Sequence, residues 1–417
     1  MFIITKIEVY QYIIFYDIIK LLFNGIFPFL KKEYVLKKLI NSFINHEAAG
    51  GMILLFFAVL ALIIANSPLA HFYEHLLHQE ITLGFSSFGI EMSFLHWIND
   101  GLMVIFFFVV GMEIKREFLY GELKSLSATI MPITAAIGGM IVPAILYFAV
   151  NAGLPTAGGW GIPMATDIAF ALGVIMLVAR NAPPGLVVFL TALAIVDDLG
   201  AIVVIALFYS TDVSFIALAS GLAALLVAFI FNRMKVKSFI PYLLAGLVAW
   251  YAFLNAGIHP TIAGVLLGFT IPAGENSLLE KLEHALAPWS SFFVMPVFAL
   301  ANAGVSVSGG IGDIFSPIGI GIILGLCVGK PLGICGAVML IKKLFKGDIP
   351  GKARKLQLIA TGALGGIGFT MSIFIASLAM DTPHHLEVAK LSILCASLIS
   401  GIIGMVLFKV DEKLHKS

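Results

Sequence analysis

Four ionisable side chains interrupt long apolar stretches of this sequence: Asp167, the adjacent pair Asp197 and Asp198, and Lys330. An ionisable group in the middle of a membrane costs at least about 2.5 kcal/mol, so each of the four is a candidate for function. Carboxylates beside an ammonium group can hold protons and hard cations. These residue types therefore point to ion binding inside an apolar protein.

Asp197 and Asp198 stand side by side in the segment TALAIVDDLGAIVVIALF, which is otherwise apolar. Neighbouring residues of a helix project about 100° apart, so one carboxylate can face a partner helix while the other faces a cavity. Two adjacent acids in a medium of low dielectric constant repel each other, and burial disfavours their charged forms. At least one of them can then hold a proton or a cation, but not both together. A buried ion pair that only fastens helices is the alternative.

The segment WGIPMATDIAFALG carries Gly161 and Pro163 shortly before Thr166 and Asp167. Proline removes a helical hydrogen bond and clashes with the preceding turn, so this helix is predicted to break. The break would place Asp167 at the positive N-terminus of a half-helix, with Thr166 as a cap. A broken helix with an acid is the form expected of a transport site.

A second interruption is predicted in ATGALGGIGFTMSIFIASL, where four glycines lie close together. Each glycine costs a continuous helix about 1 kcal/mol. Interrupted segments in both halves of the chain indicate an internal repeat with a binding site where the two cross. For this segment alone, close helix packing explains the glycines equally well.

Lys330, in LGLCVGKPLGICG, has no other charged residue in its segment. A buried lysine needs a counter-ion, which Asp167, Asp197 or Asp198 could supply. A lysine that extends to the membrane surface is the weaker alternative, because apolar residues flank it on both sides.

Composition explains why these charges are unusual. The 417 residues are 60% hydrophobic and 12% charged, with a mean hydropathy of +1.04, whereas soluble proteins carry about 25% charged residues. The chain is therefore predicted to be an all-α membrane protein. Its net charge of +1, with cations confined to connecting segments, excludes a nucleic-acid partner. Cys327, Cys335 and Cys395 lie in apolar runs without metal-ligand spacing, and no cofactor is predicted.

Apolar stretches long enough for membrane helices recur along the chain, since a span needs about 20 such residues. About twelve are predicted, near residues 51–66, 98–114, 126–150, 160–179, 184–209, 213–231, 238–255, 258–272, 289–305, 316–341, 356–379 and 387–408.

The distribution of lysine and arginine predicts the orientation. Alternate loops carry the cations, including Lys115, Arg180, Arg233, Lys281 and the cluster between Lys342 and Lys355, and the loops between them carry none. Cation-rich loops face the cytoplasm. The pattern indicates an even number of spans, both termini in the cytoplasm, and a bacterial inner membrane.

Two segments outside the spans stand apart. Residues 80–92 alternate in polarity and predict either a β-hairpin on the outer face or a loop on the membrane surface. Residues 1–45 form an extension that is apolar but interrupted by charges. This extension is predicted to be an amphipathic surface helix or the product of a start codon assigned too early.

Several long motifs together resemble the NhaA family of sodium/proton antiporters, from residue 46 to the C-terminus. They occur in the family's order: WINDGL at 97–102, VGMEIKRE at 110–117, AAIGGMIVPA at 135–144, IPMATDIAFALG at 162–173, LAIVDDLGAI at 193–202, LEHALAPW at 282–289, FALANAGVS at 298–306, GKPLGI at 329–334 and GIGFTMSIFIASLA at 366–379. The resemblance implies that residues 46–417 form a single transmembrane domain.

The resemblance also implies twelve helices with inverted repeats, of which the fourth and eleventh are unwound and cross. Asp198 and Asp197 would bind the transported Na⁺ and exchange protons, with Thr166 and Asp167 close by, and Lys330 would pair with Asp197. A further set would serve the pH response or accessory roles: Asp100, Glu113, Glu117, His259, Glu283 and His284. The hairpin over 80–92 would form a homodimer.

The function implied is electrogenic, pH-dependent exchange of Na⁺ or Li⁺ for H⁺ by a secondary transporter, which is not an enzyme. The sequence departs from the family in its extension over 1–45 and at Ala287, where some members carry a further histidine. A sodium-coupled symporter of an organic anion is the alternative function. An intramembrane aspartyl protease would need two catalytic aspartates on separate helices, and neither the Asp197–Asp198 pair nor Lys330 serves that chemistry.

Overall fold

The computed structural model describes residues 49–83, 89–124, 126–178, 182–210, 212–306, 311–345 and 348–415. Contacts divide the chain into two compact units, Met1–Ala49 and Gly50–Ser417. The extension predicted over residues 1–45 lies outside the described residues, so its two interpretations stay predictions. Everything below concerns the second unit.

The described part of this unit is built almost entirely from apolar helices. A helix satisfies its backbone hydrogen bonds internally, which is why it is stable in lipid. In chain order the helices are α1 (Ala49–Ala65), α2 (Ala70–His78), α3 (Phe94–Leu119), α4 (Leu126–Asn151), α5 (Ile168–Val178), α6 (Pro184–Phe208), α7 (Phe215–Arg233), α8 (Ile240–Leu254), α9 (Thr261–Thr270), α10 (Leu278–Asn302), α11 (Pro317–Phe345), α12 (Lys355–Gly365), α13 (Phe369–Ala379) and α14 (Pro383–Leu414). Four short 3₁₀ segments complete them: Glu122–Lys124, Pro155–Met164, Ile311–Phe315 and Pro350–Lys352.

The prediction of an all-α membrane protein is confirmed. Among the described residues, seven helices are long and apolar enough to cross a membrane, or up to ten if each of three bent pairs counts as one span. Helices α8 and α9 are apolar but shorter. The number of twelve spans, the inverted repeat and the orientation stay predictions.

The structure contains both strands of the hairpin expected over residues 80–92. Strand β1 (Glu80–Leu83) pairs antiparallel with strand β2 (Ile90–Ser93), and Glu80 lies opposite Ser93. The residues between the strands, 84–88, lie outside the described part of the chain.

Both predicted helix breaks are present. The 3₁₀ segment Pro155–Met164 meets α5 at 44°, and α12 meets α13 at 42°. Pro163 lies inside the 3₁₀ segment and the break follows at Ala165, which has extended backbone angles. The first half of this span is therefore a 3₁₀ helix, whose i→i+3 bonding tolerates the three glycines and two prolines of PTAGGWGIPM.

Glycine pairs bring the central helices unusually close. A Cβ at Gly138 of α4 would lie 2.4 Å from the carbonyl oxygen of Gly333 on α11, and a Cβ at Gly333 would lie 2.1 Å from that of Gly138. No side chain fits at such distances, so the two backbones can touch only through glycine. Because Lys330 is one turn before Gly333, this contact buries the lysine between α4 and α11.

Candidate functional site

The two broken spans meet at their breaks. The backbone N–H of Asp167 donates to the carbonyl oxygen of Ile367 at 2.7 Å. The Ser372 hydroxyl donates to the carbonyl oxygen of Ile162 at 2.8 Å. Each break leaves backbone groups that a helix cannot satisfy, and each span supplies partners for the other. The crossing is therefore a rigid, fully buried junction.

Asp167 caps α5 from the break. One carboxylate oxygen, Oδ1, accepts the N–H of Phe170 at 3.0 Å. The other, Oδ2, accepts the hydroxyl of Thr370 and its N–H at 3.3 Å. The expectation that Thr166 would cap this half-helix is wrong, because Asp167 performs that role and the Thr166 hydroxyl turns towards α6 and α12.

Lys330 pairs with Asp197. Its Nζ donates to Asp197 Oδ2 and lies 2.9 Å from Thr166 Oγ1. The Thr166 hydroxyl lies 2.8 Å from both Asp197 Oδ2 and the carbonyl oxygen of Gly365, and its single proton can be donated to either. Lys330 is fully buried and Asp197 is 1% exposed. Of the three acids that could balance the lysine, the fold selects Asp197.

Asp198, the next residue along α6, is also buried, at 3% exposure. The charged groups that act on it are Asp197, Glu113, Asp167 and Lys330. Among the described residues, Asp198 Oδ1 and Asp197 Oδ1 are buried oxygens without a hydrogen-bond partner. Burying a polar atom without a partner is costly, so two such atoms on adjacent residues mark a place where a proton or cation can bind.

The charges of this cluster do not balance by themselves. The cluster has three acids, Asp167, Asp197 and Asp198. In the described residues its basic group is Lys330, which pairs with Asp197 and acts on Asp198. A proton or a monovalent cation would lower the negative excess. In the described part of the chain no three His, Cys, Asp or Glu side chains form a metal-binding group. A cation held by Asp197 and Asp198 would therefore take its remaining ligands from other oxygens.

The residues expected to serve the pH response or accessory roles lie in two separate places. Towards the start of α3, Asp100 Oδ1 lies 3.2 Å from His259 Nε2, and His259 Nδ1 is 2.7 Å from Thr261 Oγ1. The other group includes Arg116, sixteen residues after Asp100 on the same helix, which at 1.5 Å per residue is about 24 Å away.

That second group centres on Arg116. Its guanidinium contacts Glu117 at 2.9 Å and Glu283, on α10, at 3.1 Å. His284 is exposed. Glu113 is half-buried one turn before Glu117. It interacts electrostatically with Glu283, Arg116 and Glu117 and also acts on Asp198.

The sequence interpretation missed the hydroxyl side chains that complete the crossing. Thr370 binds Asp167, Ser372 binds the 3₁₀ segment, and Ser397 on α14 accepts the N–H of Phe369 at 3.1 Å. Threonine and serine are common in apolar helices, where they bond to their own backbone. For Thr370 and Ser372, only the position in FTMS, directly after the glycine-rich break, could have indicated a role.

Comparisons with known proteins show which family the chain is similar to. The family model described as Na⁺/H⁺ antiporter 1 matches residues 41–408. "Na(+)/H(+) antiporter NhaA 2" of Clostridium beijerinckii is 52% identical over 92% of this chain and 99% of that protein. "Na(+)/H(+) antiporter NhaA" of Haemophilus influenzae (strain KW20) is 45% identical over 94% of this chain and 100% of that protein.

A solved structure shares the fold. The sodium proton antiporter MjNhaP1 of Methanocaldococcus jannaschii, at pH 8, matches with a TM-score of 0.50 and 15% identity. The match covers 89% of this chain and 99% of that one.

Proposed function

Because the chain belongs to the Na⁺/H⁺ antiporter 1 family, we propose that it exchanges Na⁺ for H⁺ at Asp197 and Asp198. The resemblance to the NhaA family is thus confirmed, and the family is one of transporters. The observation that carries the proposed site is the pair of buried oxygens, Asp197 Oδ1 and Asp198 Oδ1, that lack partners among the described residues. They lie beside a buried lysine at the crossing of two broken helices.

Exchange follows from competition for one negatively charged place. Na⁺ is a hard cation that prefers oxygen ligands, and both carboxylates must be ionised to bind it well. Protons bind the same oxygens and remove that charge. When Na⁺ enters, Asp198 releases its proton, and Asp197 draws away from Lys330 to face the cation. The pair cannot hold both ions together, so each binds only after the other leaves.

Electrogenic exchange is part of the proposal. Asp198 supplies one proton for each Na⁺ bound. Because the cluster has three acids and one lysine, a second group can release another proton, so that two protons exchange for one Na⁺ and one net charge moves. One net charge moved across the membrane is equivalent to about 2.3 kcal/mol per 100 mV, so an inside-negative potential would drive Na⁺ out of the cell.

The test uses everted membrane vesicles and a pH-sensitive dye. Adding Na⁺ or Li⁺ is expected to dequench the dye, whereas K⁺ and Ca²⁺ are not. Collapsing the potential with valinomycin and K⁺, at constant pH difference, should change the rate. An unaltered rate would mean electroneutral exchange, and no response to Na⁺ would reject the function itself.

Three further features of this function are supported by the sequence pattern. The alternation of cation-rich loops supports cytoplasmic termini in the inner membrane of a bacterium. In the described residues β1 and β2 form a two-stranded sheet. The edge of such a sheet can pair with another chain, which supports a homodimer formed through residues 80–92. The relatives reported above are named as Na⁺/H⁺ antiporters, which favours exchange over symport of Na⁺ with an organic anion.

Regulation by pH is proposed through the Arg116 group. Glu283 faces Arg116, His284, Glu117 and Glu280. Arg116 in turn ties α10 to α3, the helix that carries Glu113. Ionised Glu283 would hold this contact, and acid would weaken it. Activity is therefore expected to be low at acidic pH and to rise with pH.

Competition of protons at Asp197 and Asp198 gives the same trend, so the two causes need separate variants. A Glu283→Gln, His284→Ala double variant at saturating Na⁺ should shift the midpoint of the pH profile upward by about half a pH unit, the scale of a partly exposed ion pair. Glu275→Gln, which changes an exposed glutamate in the loop before α10, is the matched control. A double-variant profile that superimposes on the parent would leave site competition as the whole cause.

A further inference from the structure

Helix α14 lies alongside both halves of the broken span formed by α12 and α13. It is continuous over 32 residues. Near one end, Asp411 binds Arg354, which directly precedes α12. Near the break, Ser397 Oγ accepts the N–H of Phe369 at 3.1 Å. Helix α14 therefore spans the break as one continuous helix.

The contacts between these two ends keep an even antiparallel register. A Cβ at Gly404 would lie 2.4 Å from Leu364 Cδ2 and 3.2 Å from the carbonyl oxygen of Ala360. A Cβ at Gly366 would lie 2.8 Å from Ser400 Oγ. As residue numbers fall along α14, they rise by nearly the same amount along the broken span. The two elements therefore keep one antiparallel register over this length.

The contact between Arg354 and Asp411 is the strongest polar link in this register. Arg354 Nε donates to Asp411 Oδ1 at 2.9 Å and to Oδ2 at 3.0 Å, and its Nη2 also donates to Oδ2. The Asp411 side chain is 2% exposed, whereas that of Arg354 is 40% exposed. A buried carboxylate held by a guanidinium fork is both strong and directional.

Two neighbours hold the fork in place. Gln357 Oε1 accepts the N–H of Arg354 at 3.0 Å, which fixes the start of α12. His415, one turn after Asp411, has its Nδ1 2.9 Å from the carbonyl oxygen of Asp411 and 3.6 Å from Oδ1. Arg354 is the guanidinium that binds this carboxylate, so the axial position of α12 along α14 depends on it.

Helix α12 connects this fork to the candidate cation site. It has 11 residues, which at 1.5 Å per residue is about 16 Å, and a helix of this length moves as a rigid rod. Its last residue is Gly365, whose carbonyl oxygen lies 2.8 Å from the Thr166 hydroxyl. That hydroxyl also contacts Asp197 and Lys330.

We propose that Arg354 is a positioning residue for cation exchange. Its fork on Asp411 sets the axial position of α12 along α14, and so the position of the Gly365 carbonyl oxygen against Thr166. Thr166 in turn orients Asp197 for the cation. This role rests on the function and the site proposed above. A merely structural anchor would lower stability without changing the affinity for Na⁺.

The test measures the Na⁺ KM and the maximal rate in everted vesicles, and the thermal stability of the purified protein. Arg354→Gln and Asp411→Asn are each expected to raise the Na⁺ KM about tenfold, less than the hundredfold that a 1 Å misplacement can cost. The reversed double variant, Arg354→Asp with Asp411→Arg, should restore the KM to within about twofold of the parent, since the pair is re-formed. Arg233→Gln, an arginine at the end of α7 that packs on Phe229, is the control and should match the parent.

A parent-like KM in both single variants overturns the proposal, whether or not stability falls. Failure of the reversed variant to recover overturns it as well. If Arg354→Gln does not accumulate in the membrane, Arg354→Lys replaces it: lysine keeps the charge without the fork, and a parent-like KM there also overturns the proposal. Asp198→Asn, measured in parallel, separates the two claims, because normal exchange in that variant would reject the proposed site itself.

Discussion

An Asp198→Asn substitution is expected to abolish Na⁺-driven proton movement while the protein still accumulates in the membrane. Asparagine has nearly the same shape as aspartate, but it neither titrates nor carries a negative charge. Asp198 is buried, and its Oδ1 lacks a partner among the described residues, so little packing is lost. The rate should fall at least about hundredfold, which corresponds to about 2.7 kcal/mol of transition-state stabilisation. Dye dequenching in everted vesicles measures this rate of Na⁺-driven proton movement.

Two comparisons make this result specific. Asp381→Asn changes an exposed aspartate in the turn before α14 and should leave exchange unaltered. Asp197→Asn should be nearly as severe as Asp198→Asn, because it removes the counter-charge of Lys330 together with a proposed cation ligand. Normal Na⁺-driven proton movement in well-folded Asp198→Asn vesicles would show that the ion binds elsewhere.

A Lys330→Ala substitution is expected to lower both exchange and thermal stability. Lys330 is fully buried, and removing one partner of a buried ion pair costs about 3–5 kcal/mol, because the other charge is left without compensation. The melting temperature in detergent should fall by at least about 5 °C. Lys343→Ala, at the exposed end of the same helix, is the control and should melt like the parent.

A double variant separates the structural part of this effect from the chemical part. Lys330→Met with Asp197→Asn removes both charges and leaves groups of similar volume. Replacing a whole buried pair is often neutral for stability, whereas breaking it is not. The double variant should therefore recover most of the melting temperature and none of the exchange. If Lys330→Ala melts like the parent, the lysine has no part in holding the broken helices together.

The candidate site residues were predictable because their cost in lipid does not depend on the fold. Asp167, Asp197, Asp198 and Lys330 interrupt apolar stretches, and any fold that buries such stretches must give these charges partners or a function. The helix break near Pro163 was predictable for a similar local reason, since proline removes a hydrogen bond wherever the chain is helical.

Which groups meet was decided only by tertiary packing. From the residues alone, Lys330 could have faced any of three acids. The family resemblance implied Asp197, and in the packed structure the lysine binds that acid. Thr166 was expected to cap its own helix. The crossing instead offers it Asp197 and the Gly365 carbonyl oxygen, and Asp167 takes the cap.

Arg354 and Asp411 show most clearly which contacts local sequence cannot predict and tertiary packing decides. By local sequence, Arg354 belongs to a loop rich in lysine and Asp411 to the charged end of the last helix, and both patterns indicate solvated side chains. The two residues are 57 positions apart, so no local pattern links them. The sequence by itself determined which charges would be costly to bury. The register of α14 against α12 decided that Asp411 is buried and that Arg354 neutralises it, because burial depends on how helices pack.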